Sequence, residues 1–367
     1  MKVALVHDWL IHMRGGEKVL EALAELFPDA TIYTLFYRKN KISPSLARMK
    51  IKSSFLQIIP GIFEFYRWLL PVLPQVMRTL RIEDADLLIS SSHCVAKGVR
   101  LPDSKTKHIC YCHTPMRYLW GFEEDYFGAA PFFLKPVLKW ILGRLRQWDL
   151  ENNKDVDHFT ANSQNVRQRI RNFYGREAEV IYPPLDTGRF YLNKNKARED
   201  YYLVVSAFVP YKRVDLVIEA FNQIDRKLVI AGSGPLAAHY EKMRKKDSIF
   251  FLGPLSDSRL RDLYAGARAL IFPTEEDFGI VPLEAQACGT PVIAYGKGGA
   301  LESVKTGVFF YEQTSEAVIQ AIYEFEKKTF DFNKISEEVL FFSKSRFKEQ
   351  MQNFITRITE QPDYVAR

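Results

Sequence analysis

Cysteine is scarce in this chain, which has four cysteines among its 367 residues. Four cysteines without a disulfide-like framework do not fit a small secreted fold, and they favour a reducing compartment. Long apolar runs are also missing, and none approaches the roughly 20 residues that a membrane-spanning helix needs. The first residues, Met1–Val6, predict a β-strand that leads directly to His7-Asp8, with no apolar core of a secretory signal. We therefore expect a cytoplasmic protein without a transmembrane helix.

Sequence repeats and low-complexity tracts are lacking as well, which excludes a solenoid or an extended disordered chain. Hydrophobic residues make up 47% of the chain and charged residues 26%, a balance that is typical of globular proteins. Because single hydrophobic cores stop growing at roughly 250–300 residues, a chain of 367 residues is expected to fold as two domains.

Positive charge is concentrated in the first half of the chain. Residues 1–185 hold 26 Lys and Arg against 19 Asp and Glu, whereas residues 186–367 hold 25 of each, so the first half carries the whole net charge of +7. Such an asymmetry predicts an anionic partner, for example an acidic membrane surface or a phosphorylated acceptor. No helix or arm gathers the basic residues into a nucleic-acid-reading motif, so nucleic acid is not expected as a partner.

Short apolar runs alternate with longer amphipathic segments in both halves, which is the pattern of a parallel sheet covered by helices on both faces. The predicted strands are Val3–Val6, Leu87–Ser90, His108–Cys112, His158–Ala161 and Glu179–Ile181, then Tyr202–Ser206, Lys227–Ala231, Ile249–Leu252, Ala269–Phe272 and Pro291–Ala294. We expect an α/β fold of two Rossmann-like, doubly wound domains that face each other across a cleft, with the chemistry at the carboxyl ends of the strands.

The domain boundary follows from Pro183 and Pro184, because consecutive prolines can continue neither a strand nor a helix. They mark a linker at Ile181–Phe190. The predicted domains are residues 1–185 on the acceptor side and residues 186–345 on the donor side. A C-terminal helix at residues 346–367 is expected to pack back on the first domain.

Two glutamates eight positions apart, Glu276 and Glu284, stand out through their surroundings. Glu276 follows the predicted strand Ala269–Phe272, Gly279 permits close backbone approach to a ligand, and Pro282 suits the first turn of a helix. This order of strand, loop and helix predicts that both carboxylates lie close to a helix N-terminus.

The same arrangement places the backbone N–H groups of Phe278, Gly279 and Ile280 at that N-terminus, where anionic or hydroxyl-rich ligands bind well. Carboxylates accept hydrogen bonds from vicinal hydroxyls, so one glutamate is expected to hold a sugar and the other a ribose. The pattern therefore indicates a nucleotide sugar as ligand. By contrast, Glu316 and Glu324 have the same spacing on an amphipathic helix and are interpreted as a solvated face.

The segment Phe272–Ala294 resembles the E-x7-E signature of glycosyltransferase family 4, the retaining enzymes with the two-domain GT-B fold. The resemblance extends to a Gly-Gly loop after the first strand, Asn162-Ser163, the Pro183-Pro184 linker, Val205–Arg213 and Ala231–Leu236. Within that family, the runs Cys112–Trp120 and Val209–Asp215 are most similar to mannosyltransferases of bacterial O-antigen and exopolysaccharide assembly.

The resemblance implies that Glu276 faces the donor sugar, Glu284 holds the ribose hydroxyls and Lys212 holds the diphosphate. A cation at Lys212 would stabilise the departing nucleoside diphosphate, so no metal is expected to be required. Many members of the family carry Arg five residues before this lysine, where this chain has Ala207. Arg213 is expected to supply the second positive charge.

The resemblance also assigns roles to Gly16 and His113 in the first half. Gly16, in the loop Arg14–Glu17, is expected to approach the donor phosphates, and His113, at a strand end, is expected to contact the donor hexose. A turn that only caps a helix remains the alternative for Gly16, and a structural histidine remains the alternative for His113.

Two patterns imitate metal sites and are interpreted as structural. His108, Cys110 and Cys112 share one strand face, but no second ligand pair follows at zinc spacing. The segments Asp84–Asp86 and Asp155–Asp157 imitate the D-x-D of metal-dependent glycosyltransferases, yet each directly precedes a short apolar strand. We expect no metal site.

The segment Ser54–Ile82 is rich in apolar and aromatic residues and is flanked by Arg67, Arg78 and Arg81. This mixture suits an interfacial helix, with apolar side chains at the lipid boundary and arginines at the head groups. A lid or core helix of the first domain is the alternative, and the composition does not decide between them.

Together with the observations above, the resemblance implies a retaining, metal-independent hexosyltransferase that uses GDP-mannose and a lipid-diphosphate-linked oligosaccharide acceptor at the cytoplasmic face of the membrane. Since no residue is placed as a nucleophile, same-face displacement is favoured over a covalent glycosyl-enzyme. A sugar-nucleotide 2-epimerase of the same fold and a non-catalytic, two-lobed sugar-binding protein remain as alternatives.

Overall fold

The computed structural model describes residues 1–128 and 130–360. The chain forms two compact units, the first built from residues 1–184 together with the described residues from Phe347 onward, and the second from Leu185–Arg346. Both are parallel-sheet α/β domains, as the alternation of apolar runs and amphipathic segments predicts.

The first unit contains a seven-stranded sheet in which every neighbouring pair is parallel. The strands are β1 (Val3–His7), β2 (Thr31–Thr34), β3 (Lys50–Ser53), β4 (Leu87–Ser92), β5 (Lys107–Cys112), β6 (His158–Ala161) and β7 (Ala178–Val180), in the order β3-β2-β1-β4-β5-β6-β7. The helices are α1 (Gly15–Leu26), α2 (Pro44–Arg48), α3 (Ile62–Phe65), α4 (Leu73–Arg78), α5 (Glu123–Phe127), α6 (Lys135–Glu151) and α7 (Gln164–Tyr174).

Both faces of this first sheet are buried, because alternate residues of a strand point to opposite faces. Ala4 and Val6 of β1 pack in a cluster with residues of α4 and α6. Leu5, between them, belongs to a different cluster that includes residues of α1. Strands buried on both faces read as continuous apolar runs, which explains why β1, β4 and β5 are recognisable in the sequence.

The second unit contains a six-stranded sheet, also parallel throughout. Its strands are β8 (Tyr202–Ala207), β9 (Leu228–Ser233), β10 (Ile249–Phe251), β11 (Ala269–Phe272), β12 (Val292–Tyr295) and β13 (Gly307–Phe310), in the order β10-β9-β8-β11-β12-β13. The helices are α8 (Val214–Gln223), α9 (Ala237–Met243), α10 (Asp257–Gly266), α11 (Ile280–Ala287), α12 (Ala300–Ser303), α13 (Ser315–Glu326) and α14 (Phe332–Glu338).

The last described helix, α15 (Lys344–Glu360), returns the chain to the first unit. Its residues Phe347, Met351, Phe354, Ile355 and Ile358 join the cluster that contains Leu5. The predicted C-terminal helix extended to residue 367, and residues 361–367 lie outside the described part of the chain.

The segment Ser54–Ile82 is not one interfacial helix. It contains the 3₁₀ turns Phe55–Ile58 and Tyr66–Leu69 and the short helices α3 and α4. About half of its apolar side chains are buried in the first unit's core, which explains its high apolar content; the buried set is Leu56, Ile62, Tyr66, Leu70, Leu73, Val76, Met77, Leu80 and Ile82. A second set, Phe55, Ile58, Trp68 and Val72, is exposed.

Candidate active site

The second unit brings Lys212 and Glu276 to one point of its sheet edge. The strand order reverses between β8 and β11, and open α/β sheets bind ligands at the carboxyl ends of strands at such a reversal. Lys212 follows β8 and Glu276 follows β11. Their Nζ and Oε1 atoms form an ion pair, with the side chains 16% and 21% exposed. Sequence reasoning assigned these residues to different parts of a ligand and did not foresee that they pair with each other.

Two hydrogen bonds fix the loops that carry this pair. Lys212 ends a 3₁₀ turn at Pro210–Lys212, and Thr274 Oγ1 donates to the Tyr211 carbonyl at 3.0 Å. Gln313 Nε2 donates to the Pro273 carbonyl at 2.9 Å. The loop after β11 is therefore tied to the turn after β8 and to the chain that follows β13.

A pair of glycines supports the Glu276 loop from its other side. Gly299 N donates to the Glu276 carbonyl at 2.8 Å. A Cβ atom on Gly299 would lie 2.5 Å from both Asp277 O and Phe278 N, closer than non-bonded atoms approach. Gly298 has φ +62°, in the left-handed region that favours glycine. The two missing side chains allow the loop to pack directly on this turn.

Helix α11 begins immediately after this loop. Gly279 caps it with φ 95°, and the Phe278 ring packs inward against Phe342 with centroids 5.7 Å apart. The backbone amides of Phe278, Gly279 and Ile280 consequently lie at the helix N-terminus, whose partial positive charge favours an anion.

Glu284 lies in the second turn of α11 and is buried. Tyr264 Oη donates to Glu284 Oε2 at 3.3 Å. Burial, together with the charge of Glu284, raises the pKa of Tyr264 well above its ordinary value, so the tyrosine remains a hydrogen-bond donor. This contact fixes the carboxylate that the resemblance assigns to a ribose.

Two polar side chains that sequence reasoning missed, one buried and one half-buried, hold α11 in place. Gln286 Oε1 accepts from Lys305 N at 2.7 Å and from Thr306 N at 3.1 Å. The Arg198 guanidinium donates to the Ala267 and Gly289 carbonyls at 2.9 and 2.6 Å, close to the C-terminal ends of α10 and α11. A cation at a helix C-terminus is stabilising.

Arg213 occupies a strained position between the Lys212 turn and α8. Its φ of 50° is the only positive value among the non-glycine residues that the structure describes. Its Nε lies 3.4 Å from Asp215 Oδ2, and its NH1 donates to Gln313 Oε1 at 3.4 Å. Asp215 therefore balances part of the charge that was expected to assist Lys212.

The first unit has its own strand reversal, between β1 and β4, and polar side chains gather at the carboxyl ends there. Ser91 Oγ lies 3.0 Å from His7 Nδ1 and 2.8 Å from His113 Nε2, so it bridges the two imidazoles. Asn162 Nδ2 donates to the His113 carbonyl at 2.9 Å. Burial, followed by the charges of His7 and His93, lowers the pKa of His113 well below its ordinary value, so this imidazole is neutral.

Asp8 and His93 form a second pair at the same edge. The Asp8 carboxylate is completely buried, and His93 Nδ1 lies 2.8 Å from its Oδ2. Burial would raise the pKa of Asp8, but the charge and hydrogen bonds of His93 hold it below its ordinary value. Burial would likewise lower the pKa of His93, but Asp8 raises it above its ordinary value. A buried carboxylate thus favours a charged imidazole.

Gly16 lies in the first turn of α1, against the histidines. A Cβ atom there would lie 3.5 Å from His113 Nε2 and 3.6 Å from His7 Cε1, which are ordinary contact distances. Because Gly16 has no side chain, it does not cover the edges of the two imidazole rings.

The patterns that imitate metal sites have structural partners. The two ring nitrogens of His108 lie 2.8 Å from Ser90 Oγ and 2.8 Å from the Asp155 carbonyl. Asp86 accepts from Lys2 N at 2.6 Å, and Asp157 accepts from His108 N at 2.7 Å. Within residues 1–128 and 130–360, no group of three or more His, Cys, Asp or Glu side chains is arranged to hold a metal ion.

Sequence reasoning missed His7, Asp8, Ser91 and His93. The available signal was position alone, since His7-Asp8 and Ser91-Ser92-His93 come at the ends of two apolar strands. Polar residues at the carboxyl ends of neighbouring parallel strands meet at one edge, but the sequence does not reveal that β1 and β4 are neighbours.

Two protein-family models match consecutive parts of this chain. Residues 13–189 match the model described as Glycosyltransferase Family 4, and residues 190–339 match the model described as Glycosyl transferases group 1. Among curated proteins, the chain is 27% identical over 214 residues to the O-antigen chain mannosyltransferase RfbU of Salmonella typhimurium, covering 55% of this chain and 60% of that protein. It is 33% identical over 186 residues to the D-inositol 3-phosphate glycosyltransferase of Kribbella flavida, covering 42% and 43%. The chain thus matches less than two thirds of the length of these relatives.

Among solved structures, the fold is similar to that of Anabaena Alr3699/HepE, determined with UDP and glucose. The TM-score is 0.70 at 17% identity, and the match covers 97% of this chain and 99% of that one. At this identity the similarity concerns the fold alone, and it confirms the predicted GT-B class of two parallel-sheet α/β domains.

We expect Gly299→Ala to destabilise the second unit by about 2–3 kcal/mol, because the added methyl overlaps the backbone of residues 277 and 278. Denaturant unfolding measures the loss. Gly143→Ala is the matched control, because a Cβ there meets no atom within 4 Å and alanine is favoured inside a helix. Equal stability of the two variants would contradict the packing role of Gly299.

Proposed function

This chain belongs to the family 4 glycosyltransferases, and we propose that it transfers mannose from GDP-mannose to a lipid-diphosphate-linked oligosaccharide. Residues 13–189 match the Glycosyltransferase Family 4 model, and residues 190–339 match the Glycosyl transferases group 1 model. The observation that carries glycosyl transfer is the meeting of Lys212 and Glu276 at the strand reversal, beside the N-terminus of α11. The similarity to an O-antigen mannosyltransferase supports the choice of mannose. Because that relative is matched over only part of its length, the identity of the donor is proposed for this chain.

In this proposal the donor diphosphate binds Lys212 and the amides at the start of α11. Cations and helix N-termini both stabilise phosphate charge. Glu284 holds the ribose hydroxyls and Glu276 holds the hexose. In the first unit, His113 contacts the hexose, and Gly16 contacts the phosphates.

The proposed reaction retains the configuration at the anomeric carbon. The bond from this carbon to the diphosphate oxygen breaks, and the acceptor oxygen bonds to the carbon on the same face. The departing phosphate takes the proton of the acceptor hydroxyl. Lys212 stabilises the charge that develops on the leaving group, which is why no metal is assigned a role.

Thermal-shift titration tests the nucleotide. GDP at a hundred times its Kd should stabilise the protein by about 2.7 kcal/mol, while UDP and ADP at equal concentration should stabilise it less. Conversion of GDP-mannose without an acceptor would instead identify a 2-epimerase, and binding with neither reaction would identify a sugar-binding protein.

Glu276→Gln should lower kcat about 100- to 1,000-fold, because the proposed carboxylate acts on the sugar during transfer. GDP affinity should not weaken, since Lys212 remains and loses its carboxylate partner. Glu316→Gln is the matched control, because Glu316 is exposed on α13. Kinetic assays and GDP titrations of both variants give the comparison. Wild-type turnover in Glu276→Gln would remove this residue from the active site.

Treatment with EDTA should leave transfer largely intact, whereas Lys212→Ala should lower kcat/KM about 100-fold or more through loss of leaving-group stabilisation. The exposed Lys242 of α9 provides the control Lys242→Ala. If EDTA abolishes transfer and manganese restores it, the assignment of charge stabilisation to Lys212 is wrong.

The proposed lipid-linked acceptor implies contact with a membrane surface. No helix in the described residues is long and apolar enough to span a bilayer. The first unit nevertheless exposes two apolar sets, one around Trp68 and one at the start of α6 around Trp140. These two tryptophan residues are 85% and 62% exposed. The second set, which sequence reasoning missed, also includes Phe132, Phe133, Leu134 and Val137. Lysines and arginines flank both sets, which suits an acidic lipid surface.

Flotation with phosphatidylglycerol-containing liposomes should recover the protein at 0.1 M salt and much less at 1 M, since the Debye length falls from about 10 to about 3 Å. Replacing both Arg67 and Arg81 with Glu should weaken the free energy of membrane binding by roughly 2 kcal/mol for each reversed charge. Recovery with the liposomes at low salt should fall accordingly. Arg78 is left unchanged because its NH2 donates to Asn152 Oδ1 at 3.2 Å.

Trp140→Ser separates the contribution of α6 from that of the Trp68 set, and Leu301→Ser, at an exposed residue of the second unit, is the control. Transfer to an acceptor analogue without a lipid should be unchanged in these variants. Wild-type protein that does not float with acidic liposomes at low salt would overturn the membrane proposal.

A further inference from the structure

The C-terminal end of α6 carries a carboxylate that is completely buried. Asp149 Oδ1 forms an ion pair with Lys97 Nζ at 2.8 Å, and the two side chains are 0% and 3% exposed. Asp149 Oδ2 accepts from Trp120 Nε1 at 2.7 Å and from Tyr174 Oη at 2.8 Å. Burial, followed by the charge of Asp149, raises the pKa of Tyr174 well above its ordinary value, so the tyrosine hydroxyl stays a donor. One carboxylate thus joins side chains from three different parts of the first unit.

Lys97 lies in the loop that follows β4. It belongs to the 3₁₀ turn Ala96–Gly98, and its ammonium also donates to the Asp149 carbonyl at 2.6 Å. A Cβ atom on Gly98 would lie 2.3 Å from Trp148 Cζ2, so α6 packs directly against this turn. The end of α6 therefore holds the loop after β4 through two polar contacts and one close packing contact.

The same loop supplies the amides that surround Asp8 at the sheet edge. Asp8 Oδ1 accepts from Val95 N at 2.6 Å and from Ala96 N at 2.7 Å. Asp8 Oδ2 accepts from His93 N at 2.8 Å. Lys97 comes directly after the last of these donors in the sequence. A shift of Lys97 would therefore displace the amides that hold Asp8, and His93 with them.

Trp120 ends a segment that follows β5 and begins with His113. Arg146 Nε of α6 donates to the Leu119 carbonyl at 2.8 Å, so the end of this segment has a second contact with the same helix. Residues 114–116, which lead from His113 into the segment, are buried. Because buried residues are closely packed and have little room to adjust, a displaced Trp120 would displace His113.

A buried ion pair such as that of Lys97 and Asp149 adds little net stability. Removing both charges from water offsets much of their attraction, and apolar side chains of similar volume are often as stabilising. Apolar contacts do not specify direction, whereas hydrogen bonds hold their partners within narrow distances and angles. The position of the two loops therefore explains the pair better than the stability of the domain does.

We propose that Asp149 is a positioning residue, which holds the loops after β4 and β5 so that His93 and His113 keep fixed places at the sheet edge. It acts on the first loop through Lys97 and on the second through Trp120. The proposal rests on the proposed function in one respect only, namely that a displaced His113 slows transfer of the hexose.

Two variants, Trp120→Phe and Tyr174→Phe, form a matched pair. Each removes one donor from Asp149 Oδ2 and keeps an aromatic ring, but only Trp120 belongs to the segment that carries His113. Trp120→Phe should lower kcat about 10- to 100-fold, since small displacements of a group that contacts the substrate have effects of this size. The Kd for GDP should be unchanged, because GDP has no hexose. Tyr174→Phe should keep the kcat of the wild type.

The ring signals of ¹³C-labelled histidines, at most seven in this chain, report on the loops without turnover. The His113 signal should move in Trp120→Phe and stay in place in Tyr174→Phe. The signal of His239, exposed on α9 in the second unit, should stay in place in both. If the wild type transfers no hexose, the proposed function is wrong, and these signals still test whether Trp120 positions His113.

A double variant, Lys97→Met with Asp149→Leu, separates position from stability. It replaces the buried pair with apolar side chains, so the midpoint of denaturant unfolding should remain close to that of the wild type. The His93 and His113 signals should both move, and kcat should fall about tenfold or more.

The matched pair decides the question whether or not this double variant folds. Equal kcat in Trp120→Phe and Tyr174→Phe, or an unmoved His113 signal in Trp120→Phe, would overturn the proposal. A folded double variant with the kcat of the wild type would overturn it as well.

Discussion

A parallel sheet that is covered on both faces leaves few places for polar side chains, and this constraint determines where both candidate sites lie. Within β1, β4 and β11 every residue except Val3 is buried, and an unpaired polar group there would be costly. Polar residues therefore gather where the strands end. At each reversal of strand order the connecting chains depart in opposite directions, which leaves the strand ends accessible. Lys212 and Glu276 occupy that position in one unit, and Asp8 and His93 occupy it in the other.

In the ion pair of Lys212 and Glu276, the carboxylate occupies the place beside Lys212 that a ligand phosphate is proposed to take. A partly buried cation is expensive without a counter-charge, and Glu276 supplies one. In a largely buried pair, the cost of removing both charges from water offsets much of their attraction. A phosphate can therefore replace the carboxylate as partner of Lys212 at a small cost. The same exchange would free Glu276 to accept hydrogen bonds from a sugar. The ion pair is thus compatible with a stable protein before the donor binds and with binding of the donor phosphate. Two uncompensated charges at this place would destabilise the protein.

Much of the fold was predictable because its strands are short apolar runs separated by amphipathic helices. The predicted strands His158–Ala161 and Ala269–Phe272 have the observed bounds, and the other predicted strands differ by one or a few residues. β2, β3 and β13 were missed, since Thr31–Thr34 and Lys50–Ser53 contain polar residues and Gly307–Phe310 lacks flanking turn signals.

In the candidate site, Glu276, Glu284 and Lys212 could be named because they match the family 4 motifs. Asp8 and His93 could not, because their pairing depends on β1 and β4 being neighbours although about 80 residues separate them in sequence. The Ser54–Ile82 segment shows a further limit, since composition cannot distinguish apolar side chains that fill a core from those that reach solvent.

The return of α15 to the first unit makes that unit discontinuous in sequence, and this has a consequence for biosynthesis. Phe347, Phe354 and Ile358 complete a core that also contains Leu5, yet the ribosome adds them after the whole second unit. At roughly 5–20 residues per second, about ten to thirty seconds pass between the end of residue 184 and the arrival of α15. During that interval the nascent first unit has an apolar groove that no part of the chain yet covers. The first unit therefore closes only after the second unit has been synthesised.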